Sequence, residues 1–172
     1  GKNSLPNYHE IQRNTPNHHR VNMEDKRSYV AGCFHQFSFF PWNQDIFNLF
    51  VLFRDVFYVK NLISNVPKEN FLSTNLDGDC TARISAQFYP AGKGWLQCHK
   101  DPIAWHQLVV PVMPLSTMGV DYDTGGGYVL GKNNKKTCTD KLCEVGDILL
   151  FNANMAHGVD IIDSKKKKIS WN

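Results

Sequence analysis

The sequence predicts a mainly β domain with one flanking amphipathic helix, on three observations. From Thr81 onward, short apolar runs are separated by Gly or Pro at most breaks, the pattern of strand, turn, strand. Within that region, Thr81 to Tyr89 alternates strictly between polar and apolar residues, the period of a strand. Helical spacing of apolar residues is confined to the segment from Asn43 to about Ser64. At 172 residues the chain fits one domain, 1–172, with 1–80 as a supporting strand-and-helix region and 81–172 as the β core. Hydrophobic residues at 42% and charged residues at 20% sit near the globular average, which excludes wholesale disorder.

Taken in order, residues 1 to about 30 are polar, rich in Asn and His, and read as extended or loop structure. Tyr29 to Phe40 is aromatic and partly alternating, which suits a strand, and Pro41 breaks it. Phe47, Phe50, Val51, Phe53, Phe57, Val59 and Leu62 recur at roughly helical spacing and predict one long helix packed on a sheet. Pro67 and the Asp77-Gly78-Asp79 turn close that half. In the next strand, Arg83, Ser85, Gln87 and Tyr89 point to one side, and Ala82, Ile84, Ala86 and Phe88 to the other. The polar side chains are bulkier and more varied than a plain solvent face, so they read as the wall of a wet cavity. An ordinary half-buried strand is the competing reading. A strand from Gln107 to Met113 follows. Later a Gly146-Asp147 turn feeds the apolar run Ile148 to Phe151, and a short loop delivers His157 at the start of another strand.

Charge and cysteine usage narrow the function. Four of the 19 Lys and Arg sit in the run Lys165 to Lys168, and without it basic and acidic residues nearly balance at 15 against 16. A general nucleic-acid-binding surface is therefore a poor reading. Five Cys with no CxxC pair do not make a disulfide framework, so Cys33, Cys80, Cys98, Cys138 and Cys143 read as reduced thiols of an intracellular, cytoplasmic protein. No stretch approaches the ~20 apolar residues of a membrane span, because Asn48, Arg54 and Asp55 interrupt the closest one. No signal peptide opens the chain, and Gly1 in place of Met points to a missing or processed start.

The segment Gln97-Cys98-His99-Lys100-Asp101 places a His and an Asp two apart at the end of a strand, where alternation puts both on one face. An imidazole nitrogen and a carboxylate oxygen suit Fe(II), Mn(II) or Zn(II). Two His and one carboxylate with the remaining positions open is the pattern of oxygen-activating iron sites. HxD alone arises often by chance, so a third ligand must come from elsewhere, and His157 is the candidate. Other residues fit less well. His106 follows the pair too closely for a chelate and reads as a neighbouring or surface His. His9, His18, His19 and His35 show no zinc spacing. Cys98 reads as core rather than ligand, and Asp147 as a turn residue. Trp95 and Gln97 share the expected face of His99 and either line the pocket or fill the interior.

These residues resemble the 2-oxoglutarate and iron(II)-dependent dioxygenase superfamily, in particular its prolyl-hydroxylase-like branch. Gln87-x-Tyr89-x-x-Gly92 ahead of His99-x-Asp101 is similar to that branch's opening strands, Gly125-Gly126-Gly127-Tyr128 to its mid-barrel glycine strand, and Gly146-Asp147-x-Leu149-x-Phe151 followed by His157 to its closing strands. The match spans about residues 81 to 171, with the weak motifs in order. The resemblance implies a double-stranded β-helix, the cupin-like jelly roll of two facing sheets. It implies His99, Asp101 and His157 as catalytic Fe(II) ligands, with O2 and 2-oxoglutarate as cosubstrates. It also implies a basic anchor for the distal carboxylate of 2-oxoglutarate about ten residues past the second His, which Lys168-Ile169-Ser170 supplies. A buried carboxylate needs such a partner, since an unpaired buried charge is very costly. Lys167 would face outward if Lys168 faces in, and the alternative is a solvated lysine run. Tyr89 and Ser170 are further cosubstrate contacts. The expected reaction is hydroxylation, desaturation or cyclisation at a C–H bond, and the Asp ligand argues against the halogenase variant.

Arg83, Gln87 and Trp95 are the expected substrate-binding residues, and a small polar molecule such as an amino-acid derivative is the leading substrate class, since Arg83, Ser85 and Gln87 suit a carboxylate or an amide. A peptidyl side chain and a non-catalytic jelly-roll binding protein are the alternatives. A cupin-type enzyme without 2-oxoglutarate would normally carry His-x-His, and a nucleic-acid demethylase is disfavoured by the near-neutral surface. Neither a membrane nor a nucleic acid is an expected partner. Ending at Asn172, the chain is expected to be clipped relative to the family.

Overall fold

A computed structural model describes residues 8–9, 17–21, 30–41, 47–72, 82–103 and 106–163. Their framework is antiparallel β structure with two helical segments. The amino-terminal region expected to be extended or loop contains two short strands, β1 (Tyr8–His9) and β2 (Asn17–Val21). β3 (Gly32–Phe39) follows, within the predicted aromatic strand and ahead of Pro41.

The predicted single long helix is two pieces: α1 (Leu49–Leu52) and α2 (Arg54–Ile63), joined at Phe53, whose φ of −97° and ψ of 13° interrupt the spiral. Asn48, in the left-handed region, sets the start of α1. The face that α2 turns inward carries Asn61, which is almost fully buried, and Ser64 follows on the same side. The Asn61 side-chain amide donates to the carbonyls of Lys68 and Asn70, both at 3.0 Å, and so folds the following turn back onto the helix. Ser64 Oγ accepts from the Leu108 N–H at 3.2 Å, and Lys60 Nζ donates to the His106 carbonyl at 2.8 Å. Polar contacts thus dock α2 on the start of β6 (Val109–Val112).

The remaining strands are β4 (Ile84–Phe88), β5 (Trp95–His99), β7 (Gly126–Leu130), β8 (Lys136–Cys138), β9 (Leu149–Asn152) and β10 (His157–Asp160), with a short 3-10 turn at Lys132–Asn134. One sheet runs β1-β2-β3-β5-β10-β7-β8 with β4 also on β3, and a second pairs β6 with β9. β3 reaches both neighbours on one edge by splitting its length: Gly32 and Cys33 pair with β5, and His35 to Phe39 pair with β4.

Register fixes which side chains share a face, because directly opposed residues of an antiparallel pair point the same way. His157 lies opposite His99, and Val159 opposite Leu96. Between those pairs β10 has Gly158 alone while β5 has Gln97 and Cys98, so β5 carries a β-bulge. Leu96 in turn faces Gly32, which shares the buried side of β3 with Phe34, Gln36 and Ser38. Gln36 and Ser38 lie opposite Gln87 and Ser85, and alternation extends that face to Arg83 and Tyr89. A single inner face therefore runs from His157 through His99 to the polar side of β4.

Among the described residues no helix is long and apolar enough to cross a membrane. Cys33, Cys98, Cys138 and Cys143 are free thiols.

Candidate metal centre

His99 ends β5 and His157 begins β10, so strand pairing alone sets the two imidazoles side by side, with ring centroids 4.3 Å apart. Asp101 lies past the end of β5 rather than within it. Its N–H donates to the Ala153 carbonyl at 3.0 Å, and the Ala153 N–H donates to the Leu108 carbonyl at 3.0 Å. Ala153, fully buried, thereby ties the Asp101 loop to the β9–β10 connection and to β6. This tie turns Asp101 back onto the histidines: Oδ1 is 3.5 Å from His99 Nε2, and Oδ2 is 3.6 Å from His157 Nε2. One donor atom from each of the three residues falls within 4.8 Å of the others.

Both rings are oriented the same way. His99 Nδ1 lies 2.8 Å from the Gln97 carbonyl oxygen, and His157 Nδ1 lies 2.9 Å from the Met155 carbonyl oxygen. In the neutral ring a carbonyl can only accept, so Nδ1 carries the hydrogen and Nε2 keeps its lone pair. Both lone pairs belong to the nitrogens that approach Asp101. A second contact of this kind, fixing tautomer and ring orientation, is what metal-binding histidines make. Phe151 of β9 packs on His157 with centroids 4.8 Å apart, joining the small sheet to the large one at the site. The three side chains are mostly covered, at 15% exposed for His99, 13% for His157 and 27% for Asp101.

The donor set fits a divalent cation. Two imidazole nitrogens and a carboxylate oxygen, with the His–Asp contacts at 3.5 and 3.6 Å, are donors that would suit Fe(II), Mn(II) or Zn(II). The His99 contact holds the Asp101 carboxyl below its ordinary range against desolvation, with the charges of His157, His99 and Arg83 adding to it. His99 is shifted upward, chiefly by Asp101, again against desolvation. The two shifts are reciprocal, each recording the attraction between the Asp101 carboxylate and a protonated His99, whose proton a metal ion would have to displace.

The other expected site residues are distributed as follows. Arg83 and Gln87 are exposed on the inner face described above. The Tyr89 hydroxyl donates to Gln87 Oε1 at 2.7 Å, and Gln87 Nε2 donates to Gln36 Oε1 at 3.1 Å. The Tyr89 ring packs against Phe34, and burial followed by the Asp140 charge pushes its hydroxyl well above the ordinary range. Lys168 and Ser170 lie outside the described residues, as do Lys167 and Asp77-Gly78-Asp79.

Two expectations about β5 need correction, and the bulge is the reason. Trp95 lies opposite Cys33, so the register places it on the face away from His99 rather than beside it. Gln97 spends its Oε1 on the Ala31 N–H at 3.1 Å. Cys98 is exposed rather than core, and it lies against the Tyr128 hydroxyl. His106 stays out of the metal group, and its ring stands edge-on to Phe71. Asp147 is the turn residue expected, accepting from the Glu144 N–H at 2.8 Å.

Residues that sequence reasoning missed are those that aim the ligands: the carbonyls of Gln97 and Met155, the Ala153 backbone, and Phe151. The carbonyls had a signal, since each belongs to the residue two before its histidine. A hollow of about 310 Å³ lined by Tyr128, Lys136, Cys138 and Asp160 lies on the opposite side of the β7–β10 sheet. It is a poor rival, because Lys136 is paired with Asp160 at 2.7 Å and stacked 3.8 Å above the Tyr128 ring.

Comparison with protein-family models, curated proteins and solved structures returned no match.

Proposed function

We propose that this chain is a mononuclear non-haem iron(II) oxygenase that uses 2-oxoglutarate, built on a jelly roll, and that it oxidises a C–H bond of a small polar molecule such as an amino-acid derivative. The observation that carries the reading is the convergence of two Nε2 lone pairs and one carboxylate, each imidazole held in the ligating tautomer by a backbone carbonyl. Support for the jelly roll comes from nesting: β5 pairs with β10, β6 with β9 and β7 with β8, the pattern of one long ribbon rolled on itself.

In this reading His99, Asp101 and His157 hold Fe(II). With O2, the bound iron and 2-oxoglutarate supply the oxidant: the keto acid becomes succinate and CO2, and the substrate C–H becomes C–OH. The residues of the chain orient and exclude. The Gln97 and Met155 carbonyls fix which ring nitrogen carries the hydrogen and aim the imidazoles, and Phe151 packs on one side of His157. Lys168, with Ser170, is the proposed anchor for the distal carboxylate. The Tyr89 hydroxyl, already engaged by Gln87, has to exchange that partner to take part.

The test is conversion of 2-oxoglutarate to succinate by the purified chain, scored against a panel of amino-acid derivatives. The reading expects product only when Fe(II), 2-oxoglutarate and O2 are all present, and none with Asp101→Ala. Equal turnover without 2-oxoglutarate contradicts it.

A further inference from the structure

The inner face that carries the metal group holds a second polar centre, built on β7. The β7–β10 ladder is regular over all four of its pairs, so the faces alternate there without interruption. His157 lies opposite Val129 and Val159 opposite Gly127, which puts Gly127 on the His157 face, one two-residue step away. The space a side chain at Gly127 would need is taken by its neighbours. A Cβ there would lie 2.7 Å from Asp140 Oδ1 and 2.7 Å from Thr139 Oγ1. The Asp140 carboxylate therefore rests on the same face as the two imidazoles, a strand step of roughly 7 Å from the His157 row.

The donors that hold this carboxylate are all neutral. Oδ2 accepts from the Tyr122 hydroxyl and from the Gly127 N–H at 2.9 Å, and Oδ1 accepts from the Thr139 hydroxyl at 3.1 Å. Two carboxylate oxygens accept about four hydrogen bonds, so Oδ1, above the glycine, has a place left. Among the described residues no Lys, Arg or His comes within ion-pair distance of Asp140, which is half-buried. A charge taken partly out of water needs a partner of opposite sign, and the three neutral donors position the group without matching it. Its field also reaches Tyr89, whose hydroxyl is raised by burial and then by the Asp140 charge.

We infer that Asp140 receives the ammonium of a primary amine bound on the inner face beside His99, Asp101 and His157. This deepens the proposed amino-acid-derivative substrate by naming its amino group as the part recognised, and it rests on that reading. An ammonium suits the place because it brings both a hydrogen-bond donor for Oδ1 and the missing positive charge.

The probe is benzylamine, with benzyl alcohol as its uncharged match, titrated into the full chain with and without Zn(II) and followed by the NMR signals of the ligand. Benzylamine should bind saturably and benzyl alcohol should not, and Asp140→Asn should weaken the amine about tenfold or more. Asp160→Asn is the control, because Asp160 pairs with Lys136 on the opposite face. Replacing Zn(II) by Mn(II), whose unpaired electrons relax nearby nuclei, should broaden the methylene signal of the bound amine. Should Asp140→Asn not fold by circular dichroism, Tyr122→Phe decides. It frees a lone pair on the retained carboxylate and should bind benzylamine at least as tightly as wild type, whereas weaker binding overturns the inference. Absence of saturable binding, equal binding of benzyl alcohol, binding untouched by Asp140→Asn, or bound Mn(II) that leaves the amine sharp also overturns it. A chain that takes up no Mn(II) or Zn(II) yet binds benzylamine through Asp140 sinks the metal reading and leaves the ammonium site standing.

Discussion

Gly158 offers the sharpest structural perturbation. It is the single residue of β10 opposite the β5 bulge, between His157 and Val159. A Cβ there would lie 2.8 Å from the Leu96 carbonyl oxygen and 2.8 Å from the Tyr128 hydroxyl. The tyrosine tip can swing, but the Leu96 oxygen is strand backbone and moves only if β5 and β10 part, by roughly half an ångström for ordinary contact. Overpacking of this kind costs about 1–3 kcal/mol. Parting the strands relieves the strain, yet metal binding needs His99 and His157 back together, so up to the whole strain is charged against affinity. Gly158→Ala should therefore lower unfolding stability by about 1–3 kcal/mol in urea and weaken Co(II) or Zn(II) binding about 5- to 150-fold. Gly131→Ala is the control, because its Cβ would meet nothing nearer than the Lys135 oxygen at 3.7 Å. A Gly158→Ala protein that loses stability but binds metal as tightly as wild type refutes the claim that this close approach builds the site.

Three further outcomes follow from the same geometry. In the metal-free protein, lowered Asp101 stabilises the fold fully above its ordinary value of 3.8 and loses that contribution as pH falls through the lowered value. Raised His99 stabilises fully below 6.5 and loses its contribution as pH rises through the raised value, so their joint effect in urea melts is complete between these limits and disappears in Asp101→Asn. Asn61→Leu should cost about 1–3 kcal/mol in chemical unfolding by orphaning the Lys68 and Asn70 carbonyls, and a neutral result would show that water replaces the amide. Lys168→Ala should raise the 2-oxoglutarate KM hundreds-fold or so while Lys167→Ala changes little, the cost being on the order of 3–5 kcal/mol for one partner of a buried charge pair. The reverse ranking places the wrong lysine inward.

The convergence of His99, Asp101 and His157 was legible because it follows largely from strand ends. Strand pairing alone brings His99 and His157 together, whereas Asp101, two residues on, also needs the Ala153 backbone tie, which nothing in the sequence signals. The alternating face of Arg83, Ser85, Gln87 and Tyr89 was legible as well, since period 2 survives wherever the ladder is regular. It does not survive a bulge, and nothing in Trp95-Leu96-Gln97-Cys98 announces that two residues will oppose Gly158 alone. Hence Trp95 and Cys98 were assigned to the wrong surroundings. The helix misled differently. Val51, Leu52, Val59, Leu62 and Ile63 extend an apolar pattern yet are exposed, whereas the buried positions include Asn61 and Ser64. The Asn61 amide donates to carbonyls in the turn that follows and Ser64 accepts from the Leu108 N–H, partners that periodicity cannot register.

The central claim is that His99, Asp101 and His157 together hold an iron(II) ion open to a keto acid. Anaerobic addition of 2-oxoglutarate to the Fe(II)-loaded chain tests it most directly, followed by visible absorption. A chelating keto acid on Fe(II) produces a charge-transfer band. The account predicts a band that saturates at one equivalent of iron per chain and is absent in His99→Ala, Asp101→Ala and His157→Ala, each still folded by circular dichroism. A band of full intensity in any of the three variants, or no band in the wild-type chain with iron bound, contradicts it.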